Sequence, residues 1–193
     1  MLRAELDAAM KRFVPHAPAI VIALALSAVA QAEPKLEMHR VVKTVGASGW
    51  SAAISTDGSF AVLMPVPFAD FTTRDAATGE TTYVIGGKSA EGIKFAAVEL
   101  APGGKPPPDL ASIPQAMASA AGNKVSDVTR SSKDGADVLS LTVVTPEVTL
   151  YMRGIQLHGV RYLLSIELPN AHRELVAQFK DRFFESFKLK TKS

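Results

Sequence analysis

The segments Val148 to Ile155 and Val160 to Leu168 are apolar on both of their faces, and no other feature constrains the fold as tightly. Successive side chains of a strand point to opposite sides. Thr149, Tyr151, Arg153 and Ile155 therefore share one face with Val160, Tyr162, Leu164 and Ile166, while Val148, Leu150, Met152 and Leu163 occupy the other. A sheet wet on one side would alternate apolar and polar residues, so this one is expected to be covered on both sides. With Gln156-Leu-His-Gly159 as a four-residue loop, Arg153 would lie opposite Tyr162.

Turn residues divide the rest of the chain. A lead-in over 33–49 carries one strand, expected from Leu36 to Val45, and a single domain follows over 50–189 with a basic tail at 190–193. Asp57-Gly58 marks a turn, and Phe60 to Met64 is a short strand stopped by Pro65 and Pro67. Phe71 to Asp75 and Glu80 to Ile85 form a hairpin, Gly86 and Gly87 open a loop, and Ile93 to Leu100 is a further strand. Pro106, Pro107 and Pro108 supply no ladder donors, so that stretch is a connector. Asp134-Gly135 is the strongest hairpin signal, between Val125 to Arg130 and Ala136 to Val144. Ser112-Ile-Pro-Gln115 has the form of a capping box opening a helix of about ten residues that ends at Gly122-Asn123. A closing helix is expected after Pro169, with Asn170 as its N-cap. Its Leu175, Phe179, Phe183 and Phe187 recur every fourth residue, which makes one apolar stripe for the core.

The first 32 residues read as an export signal. Lys11 and Arg12 precede the apolar run Ala19 to Ala30, and the small residues Ala30 and Ala32 follow around Gln31. A helix of about twelve residues is about 18 Å long, too short for a hydrocarbon core of about 30 Å. Cleavage after Ala32 would leave no stable membrane anchor and a protein that is periplasmic or secreted. Glu5 and Asp7 are out of place in a signal's basic start, whereas a start at Met10 would read Met-Lys-Arg-Phe. There is no cysteine, so disulfides, thiolate nucleophiles and thiol-ligated metals are excluded. A net charge of +2 argues against a nucleic-acid partner.

Trp50, then Asp57-Gly-Ser-Phe-Ala-Val-Leu-Met-Pro-Val-Pro67, the late Tyr151-Met-Arg and Arg161-Tyr-Leu-Leu pair, and the closing Phe183-Phe-Glu-Ser-Phe-Lys-Leu189 resemble the PsbP-like superfamily. Those motifs are mostly core and turn positions and span Trp50 to Leu189. The resemblance implies an α+β fold, an antiparallel sheet flanked by helices in an α/β/α three-layer arrangement. For function it implies binding or assembly without catalysis.

Motifs for chemistry are sparse. Gly86-Gly-Lys-Ser89 matches the end of a phosphate loop, but position 82 is a threonine where the motif needs glycine. No Gly-x-Ser-x-Gly elbow is present, and His39, His158 and His172 stand at no metal-ligand spacing. No catalytic, metal or cofactor-binding set is therefore assigned. The candidate ligand-binding residues are Tyr151, Arg153, His158 and Tyr162 around the late hairpin, where an arginine over an aromatic ring can clamp a ligand. Glu167, the one acid of that hairpin, could pair with Arg161 or face solvent. The expected function is an exported, non-catalytic binding or assembly protein whose partner is an envelope protein or a small ligand. A secreted hydrolase assembled only by the fold is the alternative from a different class, and a membrane-tethered protein that keeps its N-terminal segment is the third.

Overall fold

The computed structural model describes residues 35–76, 78–101 and 109–190, and its main element is one antiparallel sheet of eight strands. In chain order the strands are β1 (Lys35–Val42), β2 (Ser51–Ile54), β3 (Phe60–Met64), β4 (Phe68–Arg74), β5 (Thr81–Lys88) and β6 (Lys94–Ala101). There follow β7 (Lys124–Lys133), β8 (Ala136–Val144), β9 (Val148–Leu157), β10 (Val160–Pro169) and β11 (Lys188–Leu189). The large sheet runs β1-β4-β5-β6-β10-β9-β8-β7, and β11-β3-β2 form a second sheet of three strands.

The three-layer α/β/α expectation is overturned. One face of the large sheet is covered by the small sheet together with a 3-10 segment, Asn170–Gln178, and a single six-residue helix, α2 (Lys180–Glu185). Among the described residues the other face carries a 3-10 turn, Leu110–Ser112, and a six-residue helix, α1 (Ile113–Ala118), which lean on β9 and β7. Two-sided cover is thus found over part of the sheet, but strands supply much of it.

Local reasons explain why the helices stay short. Ser112 makes no capping bond and donates instead to the Asp109 carbonyl at 2.7 Å, while the Asp109 carboxylate accepts from the Ala111 amide. The Asn170 side chain does not cap either. Its amide donates to the Thr145 and Pro146 carbonyls, and its oxygen accepts from the Thr149 hydroxyl, which ties it to the β8–β9 turn. At Phe179 the backbone leaves helical values, with φ at −139°, so the expected closing helix divides. Its aromatic residues still reach the core: Phe179 and Phe183 pack on Phe95, and Phe187 stacks on Phe60.

Two strand expectations also change. Gly86 and Gly87 lie inside β5 rather than in a loop, and a Cβ at Gly87 would collide with the Pro67 carbonyl, so a bare backbone is required there. The lead-in strand spans Lys35–Val42 and pairs with β4 as an edge of the large sheet.

The main core lies between the sheets. Phe60, Met64, Phe68, Ile85, Phe95, Leu164, Ile166, Leu168 and Phe183 are all fully enclosed there. On the reverse face Leu139, Leu141, Val143, Leu150, Met152 and Leu163 are buried, as are Leu110, Ile113 and Met117 of the overlying turn and helix.

Candidate functional site

The late hairpin turns over two residues, His158 and Gly159, with φ of 49° and 80°, the left-handed pair of a tight hairpin turn. Strand β9 therefore continues to Leu157, and the register slides by two: Tyr162 faces Ile155, and Arg153 faces Leu164. The slide preserves the shared face but separates Arg153 from Tyr162.

Each of the four candidate residues has its own surroundings. Arg153 lies over the Phe184 ring at 5.0 Å and donates to Glu185 at 2.8 Å, which fastens β9 to α2. Tyr151 takes the Lys180 ammonium over its ring at 5.5 Å. His158 is exposed at the turn, and Tyr162 is buried in the main core. The fold therefore brings these residues to one hairpin but not to one cavity.

The polar residues that do converge surround the turn Ser55-Thr-Asp-Gly-Ser59 between β2 and β3. The Thr56 amide and hydroxyl both donate to Asp70 Oδ2, at 2.9 and 2.7 Å. The Ser59 amide donates to Glu99 Oε2 at 2.6 Å, and the Ser59 hydroxyl bridges Glu99 and the Tyr162 hydroxyl. Lys190 donates to the Ser55 carbonyl at 2.8 Å. Burial pushes the Tyr162 phenol above its ordinary pKa, the Ser59 hydrogen bond opposes that shift, and the Glu99 charge adds to it. Asp70 and Glu99 are nearly inaccessible, and their carboxylates hold the turn against the sheet. The sequence signal was available, because each is a lone acid in an apolar run, a pattern that implies a partner inside the fold.

His39 belongs to this cluster rather than to a loose lead-in. Its Nε2 lies 2.8 Å from Thr72 Oγ1 and 3.2 Å from Asp57 Oδ2. Acid and hydroxyl thus share one ring nitrogen, whereas a nucleophile relay places them on opposite nitrogens. Among the described residues no group of three or more metal-ligating side chains converges.

The reverse face of the sheet shows a different kind of surface. A bulge between Met38 and Arg40 puts Leu36, Met38 and Val41 on one side of β1, together with Ala69, Phe71 and Thr73 of β4. Met38, Phe71, Val84, Val98 and Leu163 form one apolar row across five strands. Toward the β1 edge the row becomes accessible, with Leu36 42%, Met38 41% and Val41 52% exposed.

No protein-family model matches the chain, and no curated protein does. Among solved structures it is similar to the solution structure of cyanobacterial PsbP (CyanoP) from Synechocystis sp. PCC 6803. The identity is 13%, the match covers 85% of this chain and 98% of that one, and the TM-score is 0.38. That structure bears the name of the superfamily the motifs resemble, but at this level the likeness carries no argument about fold, ligand or partner.

Proposed function

We propose that this chain is an exported binding or assembly protein of the cell envelope that works without catalytic machinery of its own. The observation that carries the reading is the apolar side of β1. Exposed contiguous apolar surface on an edge strand is a contact surface for another molecule. Export rests on the basic, apolar, small-x-small order of the first 32 residues. Cleavage after Ala32 would place β1 close behind the new N-terminus. Among the described residues no helix is long and apolar enough to cross a membrane.

The hydrolase reading is less well supported. His39, the histidine with both a hydroxyl and an acid at hand, meets them through the same nitrogen.

A photo-crosslinking residue at Val41, compared with one at Val128 on the opposite edge strand, tests the proposal in envelope preparations. Discrete adducts from position 41 and none from 128 are expected; adducts from neither, or equally from both, count against it. Ester, peptide, phosphate and glycoside panels on the purified protein test the absence of catalysis. Turnover that disappears in His39→Ala, His158→Ala or His172→Ala would overturn that part.

A further inference from the structure

Arg161 stands on the reverse face of β10 with 3% of its surface exposed. Glu167, the acid on the same strand that could have paired with it, is bonded to Lys94 at 2.5 Å. Among the described residues the Arg161 guanidinium makes one hydrogen bond, a long one of 3.4 Å from Nη2 to Gln156 Oε1, and its Nε makes none. No described carboxylate forms an ion pair with it. Residues 102–108, which follow the neighbouring β6, contain no acid. Burial lowers the Arg161 pKa and Asp109 opposes that shift, but a guanidinium does not give up its proton in a protein. An oxyanion would supply both the missing acceptors and the opposite charge.

On the same face, across Gln156 from Arg161, a groove of about 390 Å³ opens between the Asp109–Ala111 turn and the β7–β8 hairpin, with Arg130, Ser132 and Asp137 in its wall. Cross-strand pairing sets Arg161, Gln156, Asp137 and Ser132 in one row on the same face. Strands are about 4.8 Å apart, so an arginine side chain and a ligand of a few atoms span the distance from Arg161 to the groove wall. Asp109, in the wall of the groove, uses its Oδ1 to accept from the Ala111 amide and forms no ion pair with Arg161.

We propose that this groove binds a small ligand through an oxyanion, a carboxylate or a phosphate, seated on the Arg161 guanidinium at its inner end. The planar fork of N–H donors matches two oxygens of either group. Asp137 in the same row opposes the charge of a bound anion, so neutralising it strengthens the hold. The site is distinct from the β1 surface, so it goes beyond the assembly reading.

The test follows the Arg161 Nε–Hε NMR resonance of the purified protein during titration with succinate or with inorganic phosphate, ionic strength being held constant with chloride. A saturable shift is expected, and the titration that gives it tells carboxylate from phosphate. The melting midpoint should rise by about 5–10 °C at a hundredfold excess over Kd. Arg161→Lys keeps the charge but loses the fork, and should weaken binding about tenfold or more. Asp137→Asn, a surface change that leaves the fold intact, should tighten succinate binding. A resonance that moves in neither titration, or as much with chloride alone, overturns the proposal, as does undiminished affinity in a folded Arg161→Lys variant.

Discussion

Phe183 and Glu185 are two positions apart on α2 and belong to different environments. Phe183 is fully enclosed, packed on Phe95 and Phe184, whereas the Glu185 side chain is 72% exposed where it meets Arg153. Phe183→Ala should destabilise the protein by about 3–5 kcal/mol, and Glu185→Ala by less than about 1 kcal/mol, as judged by urea melts. Equal stability of the two variants would mean that the aromatic stripe is not core. Tyr162 gives a pH-dependent prediction. Its phenol is raised above the ordinary value near 10, chiefly by burial, so the folded state retains a proton that the unfolded chain releases. The stability this contributes is fully present below about pH 10 and is lost as pH rises through the folded-state value. Tyr162→Phe should therefore be the less stable form at neutral pH, through loss of the bond to Ser59, and its deficit should shrink in melts above pH 10. A deficit independent of pH would contradict this.

Elements were legible in the sequence where turns declared themselves. Phe60–Met64 has the bounds its flanking prolines suggest, and Asp134-Gly135 is a two-residue turn with both φ angles positive. The late hairpin was misread because His158 takes φ 49°, a conformation that glycine or asparagine signals more plainly than histidine. Gly159→Ala should cost about 1 kcal/mol at φ 80°, and His158→Asn should stabilise the same turn; thermal melts of the two variants check both signs. The helices were overestimated because periodicity reports which residues face the core, and it is silent on whether one continuous helix delivers them. Phe179, Phe183 and Phe187 all arrive, across a break the spacing does not reveal. The turn cluster and Arg161 were missed for another reason. The turn cluster joins residues 14 to 135 positions apart, and Arg161 meets the Asp109 turn 52 residues before it, all brought together only by sheet order.

At the scale of the whole molecule, the expectation open to direct measurement is export. N-terminal sequencing of protein recovered outside the cytoplasm should begin at Glu33, with Gln31 the second choice; intact chain carrying Ile20 to Val29 in a membrane pellet would contradict this. Two-sided cover of β9 and β10 was legible from those strands, because both their faces are apolar. The material of the cover was not, since strands and helices bury the same residue types. The bulge at His39 has a consequence for how such a molecule can vary. With that one extra residue, His39 and Arg40 both reach acids of the same cluster, Asp57 and Asp70, while Met38 and Val41 remain together on the far side. Deleting His39 would restore an ordinary alternating strand with Leu36, Met38 and Val41 still side by side, and would remove one basic group from the turn. Substitution edits one side of the strand and a change of length edits the other, so a lineage could retune the fastening of the β2–β3 turn without altering what β1 offers a partner.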